Sequence, residues 1–162
     1  MQSSPHESAT VLIVDNDPLI LTGIAAILDQ AGYICYCARG NEAASKLVAT
    51  HLPDLIIADT DLGEESGLDL IRKMKQMAGL SDVPVLFTSG SCFPDMIDRS
   101  RAAGGSYYLR KPFDPWVLLE LVDRALWMPA LVHTRMDRHA AAIGAPIAMT
   151  AGSEMRVRSS PL

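Results

Sequence analysis

At 162 residues and 49% apolar side chains, the chain has room for one domain with a sizeable core and none for a second catalytic domain. A net charge of −5 argues against a general nucleic-acid binder, whose affinity comes from Lys and Arg set against phosphates. The acidic excess lies before residue 128, where ten Lys and Arg face seventeen Asp and Glu, whereas residues 128–162 carry four Arg and two acids.

In chain order, residues 1–9 have neither the basic start nor the apolar centre of a signal peptide and read as a flexible segment of a cytoplasmic protein. No stretch approaches the roughly 20 apolar residues that span a bilayer, so no membrane association is expected. Five short runs rich in Val, Ile and Leu then alternate with segments of helical period, the pattern of a parallel sheet covered on both faces. The strands are expected over residues 10–14, 33–37, 55–58, 83–87 and 107–109.

The first helix is expected to start at Pro18, with Asp17 as its N-cap and Ile20, Ile24, Ile27 and Leu28 as its buried stripe, and to stop near Gly32. Helices over residues 41–50, 68–77, 94–103 and 115–127 follow, with Trp116 and Trp127 read as packing residues. After Pro129 the rhythm stops. Residues 130–143 could form one short helix, and the remainder of 128–162 reads as a disordered tail. The three cysteines are an odd count without zinc-ligand spacing, which fits reduced thiols.

Ligands of parallel α/β sheets gather outside the carboxyl ends of the strands. There the first strand delivers Asp15, Asn16 and Asp17, the third Asp59, Thr60 and Asp61, the fourth Thr88 and Ser89, and the fifth Lys111 and Pro112. Carboxylates converging from separate strands repel one another unless a cation sits among them, and a hard, partly hydrated oxygen site suits Mg²⁺.

VLIVDND at 11–17, PDLIIADTDL at 53–62, Gly67, PVLFTSG at 84–90 and AAGGSYYLRKPF at 102–113 resemble the receiver domain of two-component response regulators, a likeness covering about residues 10–127. The resemblance implies a flavodoxin-like three-layer α/β sandwich, a five-stranded parallel sheet of order 2-1-3-4-5 with helices on both faces. It also implies Asp59 as phosphoacceptor and Mg²⁺ held by Asp15, Asn16, Asp59 and the main-chain carbonyl of Asp61. Thr88 is then the hydroxyl and Lys111 the ammonium that meet the phosphoryl group, Tyr108 the aromatic that moves with them, and the bond before Pro112 is cis.

The implied donor is a sensor histidine kinase or a histidine phosphotransfer protein, and the implied output is altered binding to an unidentified downstream protein. Direct nucleic-acid binding is not expected, and a homodimer is one arrangement open to such a chain. The domain would signal and not act as an enzyme beyond catalysing its own phosphorylation and dephosphorylation. Asn16 replaces the family's usual acid, Gly63 its frequent proline and Gly105 its usual alanine. Asn16 keeps open a binding module of the same fold that signals without phosphorylation. DTDLG at 59–63 partly resembles the DxDxT motif of haloacid-dehalogenase-type phosphatases, but that motif normally follows the first strand and ends in Thr or Val.

Overall fold

The strand Thr10–Val14 (β1) lies inside the sheet, and its Val and Ile run is buried because helices cover both of its faces. The computed structural model describes residues 9–127, so residues 1–8 of the expected N-terminal segment, the 130–143 helix and the tail lie outside the described residues, while Ala9, expected in that segment, is buried and its carbonyl accepts from Ile34 N at 2.9 Å. After β1 come the helix Pro18–Gln30 (α1), strand Ile34–Ala38 (β2), helix Asn41–Thr50 (α2), strand Leu55–Asp59 (β3) and helix Gly67–Met74 (α3). Strand Val85–Ser89 (β4), helix Met96–Ala102 (α4), strand Tyr107–Arg110 (β5) and helix Pro115–Trp127 (α5) complete the fold. All strand pairs are parallel, in the order β2-β1-β3-β4-β5.

Successive strand residues point to opposite faces, and the core divides accordingly. Val11, Ile13, Leu55, Ile57, Leu86 and Leu109 pack with α1 and α5, through Ile24 and Leu28 on one helix and Leu118 and Val122 on the other. Leu12, Val14, Ile56, Ala58, Phe87 and Tyr108 pack with α2, α3 and α4, through Val48, Ile71 and Met96. The start of α1 is as expected: Pro18 stands at its first position and Asp17 accepts a hydrogen bond from the Leu19 amide at 2.9 Å. At the opposite end of the sheet, the Tyr33 hydroxyl donates to Asp123 and accepts from Trp127 Nε1 at 3.3 Å, tying the end of α5 to the start of β2.

Several boundaries differ from expectation. Leu21 takes a buried place on α1, while Ile20 and Ile27 are only partly covered. β2 lies one residue later than read. α3 stops at Met74, where the chain turns and Lys75 Nζ donates to the carbonyls of Ser81 and Val83; Met77 is exposed. α4 begins at Met96, two residues after Pro94. Trp116, expected to pack, is 75% exposed.

The largest consequence comes from β4, which occupies residues 85–89 and not 83–87. Pro84 has no amide to give a ladder, so the regular strand starts only after it. The carboxyl end of β4 is therefore Ser89.

Candidate functional site

At the carboxyl edge of the sheet, β1 ends beside Asp15, β3 ends on Asp59 and β5 runs to Arg110, just before Lys111. Lys111 Nζ donates to Asp15 Oδ2 and to Asp59 Oδ2, each at 2.6 Å. The other oxygen of each carboxylate is held by a backbone amide: Asp15 Oδ1 accepts from Asp17 N, and Asp59 Oδ1 from Asp61 N, both at 2.9 Å. Each acid thus has one amide and a share of one ammonium, the pairing that buried carboxylates require. The Lys111–Pro112 peptide is cis.

Burial pushes the Asp59 carboxyl above the usual carboxylate range, and the Asp15 charge adds to the rise against the pull of Lys111 and the Asp61 amide. Burial acts to lower the Lys111 pKa, but hydrogen bonds and charges from Asp15 and Asp59 outweigh it and hold the ammonium above the ordinary lysine range. The pair is therefore charged on the lysine side, with carboxylates that gain from any further cation.

Asp17 is committed to capping α1, and the Asp61 side chain to its own loop, where its Oδ1 accepts from Gly63 N at 2.9 Å. Neither carboxylate joins the Lys111 cluster. Asn16 leans over the loop after β3: a Cβ on Gly63 would stand 3.2 Å from Asn16 Nδ2. Gly63 has φ +84°, a conformation proline cannot take. Two of the three departures from the family pattern, at positions 16 and 63, are thus neighbours in space.

Three loops are tied together around this cluster. Arg39 Nη2 donates to the Asn16 carbonyl at 3.4 Å, and Glu65 Oε2 accepts from the Asn41 amide at 3.0 Å, at the start of α2. Gly67 abuts the end of β3 so closely that a Cβ there would lie 1.7 Å from the Asp59 carbonyl oxygen.

The two hydroxyls at the end of β4, Thr88 and Ser89, point to opposite faces of the sheet. Thr88 pairs with Leu109 and, two residues after Leu86, points toward the α1/α5 layer. Ser89, two residues after Phe87, shares the α3/α4 face with Tyr108, which pairs with Phe87 and is buried. The Ser89 hydroxyl accepts from Thr60 Oγ1 at 2.8 Å and from Ser91 N at 3.0 Å. The hydroxyl at the strand's end on the side of Tyr108 is therefore Ser89's. Period-two counting back from a strand begun after Pro84, together with Gly90 following, was the signal available in the sequence.

Among the described residues, no group of three or more His, Cys, Asp or Glu side chains is arranged to hold a metal. Mg²⁺ does not need one: it takes one or two carboxylates and keeps several waters. Asp15 and Asp59, brought together at Lys111, meet the carboxylate part of that demand. The ammonium lodged between the two acids already marks the cluster as a place for positive charge.

The family model described as the response regulator receiver domain matches residues 11–123. The chain is 34% identical over 115 residues to the phosphate regulon transcriptional regulatory protein PhoB of Pseudomonas aeruginosa, a match covering 71% of this chain and 49% of PhoB. It is 32% identical over 123 residues to the DNA-binding transcriptional regulator NtrC of Rhizobium meliloti, covering 75% of this chain and 25% of that protein. The chain thus spans half or less of the length of these two relatives. The chemotaxis response regulator CheY4 of Vibrio cholerae superposes with a TM-score of 0.69 at 26% identity, over 74% of this chain and 99% of that one.

Proposed function

Because the chain belongs to the response regulator receiver family, we propose that it takes a phosphoryl group onto Asp59, and that the observation carrying this is the pair of carboxylates, Asp15 and Asp59, joined by Lys111 at the sheet's carboxyl edge. In the step, an Asp59 carboxylate oxygen forms a bond to phosphorus while the P–N bond of a phosphohistidine on a kinase or phosphotransfer protein breaks. The electron pair leaves with the ring nitrogen. Such a transition state asks for position and charge neutralisation more than for a base.

Asp15, Asn16, Asp59 and the Asp61 carbonyl would hold Mg²⁺, which when bound neutralises charge on the phosphoryl oxygens. Lys111 pairs with one phosphoryl oxygen, trading a carboxylate partner for a phosphate one. Ser89, not Thr88, supplies the hydroxyl, and Tyr108 on the same face responds to its displacement. The signal passes in the cytoplasm to a protein partner. Whether that partner binds DNA, as the printed name of NtrC says of that protein, is a property of the whole assembly and not of this domain's acidic surface.

The test is mass spectrometry after incubation with Mg²⁺ and acetyl phosphate. Wild type should gain one acid-labile phosphoryl group that EDTA prevents and that Asp59→Asn lacks, the amide being a poor nucleophile. Equal labelling of both proteins overturns the assignment, and no labelling of either favours the phosphorylation-independent module.

A second expectation concerns Asn16. Its amide contributes a dipole where the family usually places a charge, so Asn16→Asp should tighten Mg²⁺ binding about tenfold in calorimetric titration. An unchanged affinity means that position 16 does not face the metal.

A further inference from the structure

Thr60 follows the acceptor directly, is only 6% exposed, and sends its hydroxyl to Ser89. Ala58, two residues earlier, belongs to the α3/α4 face, and Phe87 places Ser89 on that same face. Asp59, two residues after Ile57, leaves the strand on the α1/α5 side. The Thr60–Ser89 bond therefore draws the serine hydroxyl away from the acceptor carboxylate. A hydroxyl has two acceptor sites, and those of Ser89 are filled by Thr60 Oγ1 and Ser91 N. Ser89 keeps its own O–H to donate, but turning it across to a phosphoryl group on Asp59 would swing the oxygen away from both partners.

Release is costly on the Thr60 side in particular. The threonine hydroxyl stays behind in a buried place without its partner, and an orphaned buried hydroxyl costs more than the hydrogen bond had been worth. We propose that Thr60 is a positioning residue for the switch, whose hydroxyl holds Ser89 in the unphosphorylated arrangement and thereby sets how readily the domain converts once Asp59 is modified. This rests on the reading of Asp59 as acceptor and Ser89 as the responding hydroxyl.

Valine has threonine's shape without its hydroxyl, so Thr60→Val removes both the restraining bond and the orphan it would leave. Beryllofluoride with Mg²⁺ serves as the phosphoryl stand-in, titrated while the Ser89, Gly90 and Ser91 amides are followed by NMR. Thr60→Val is expected to half-saturate at about fivefold lower beryllofluoride than wild type, the effect of one hydrogen bond of ordinary net strength. Thr60→Ser, which keeps the hydroxyl, should behave as wild type, and in a Ser89→Ala background Thr60→Val should change nothing.

An unaltered midpoint for Thr60→Val overturns the proposal, as does the same gain in the Ser89→Ala background, which would mark a packing effect. Should Thr60→Val fail to fold, Thr60→Ala carries the same comparison. If wild type itself does not bind beryllofluoride, the acceptor reading falls and the proposal falls with it. If wild type binds and Thr60→Val matches it, only the role of Thr60 is lost.

Discussion

Gly67→Ala should lower the stability of the domain by at least about 3 kcal/mol, seen as a large fall in the urea midpoint. One methyl group is added, yet it would stand 1.7 Å from the Asp59 carbonyl oxygen and 2.8 Å from the carbonyl carbon. Backbone cannot yield as a flexible side chain can. Either the start of α3 lifts from the sheet, losing the cover that Leu68, Leu70 and Ile71 provide, or the end of β3 shifts and carries Asp59 away from Lys111. Gly23→Ala is the matched control: it lies mid-α1 with nothing within 4 Å of the new Cβ, and should stabilise by about 1 kcal/mol through helix propensity. Comparable midpoints for the two variants would mean that Gly67 is not closely packed against β3.

Lys111→Met should cost about 3 kcal/mol at neutral pH in the presence of a chelator, because removing one partner of a buried ionic group leaves the others uncompensated. Here two are left, Asp15 at 1% and Asp59 at 6% exposure, facing each other across the vacated ammonium. Two consequences separate this from a loss of packing. Asp59 already has a raised pKa with the lysine in place, and without it the rise must be larger. A proton can then stand in for the ammonium, so the deficit relative to wild type should shrink as pH falls and one carboxyl becomes neutral. Saturating Mg²⁺ should also narrow it, by restoring positive charge between the acids. A deficit independent of both pH and Mg²⁺ would show that methionine merely packs badly, and that the ammonium does not hold the cluster together.

The site's acids were legible in the sequence because strand ends are marked by where an apolar run stops, and Asp15 and Asp59 each follow such a run directly. Lys111 was legible for its place before proline after the last run. The span of β4 was harder to place for a local reason: Val83 and Val85 flank Pro84 in an unbroken apolar string, and only the missing amide of the proline says that the strand begins late. A shift of one residue exchanges faces in a strand, so where β4 starts decides which of Thr88 and Ser89 shares the face of Tyr108. The Thr60–Ser89 bond was out of reach altogether, since it joins residues 29 apart through a register that no local pattern encodes. Trp116 shows the opposite failure. An aromatic on an amphipathic helix was read as core, but it stands in the first turn of α5, before the buried series from Val117 to Ala125 begins.

The hydrogen bond from the Asn41 amide to Glu65 ties two timescales together. The first amides of a helix have no partner within it, and their protons ordinarily exchange with water as fast as the end frays. At the start of α2 the amide's acceptor is instead a side chain on the loop that follows the acceptor strand. Exchange at Asn41 is therefore expected to follow how often that loop lifts, so that one amide proton at the start of α2 reports motion in the loop after Asp59.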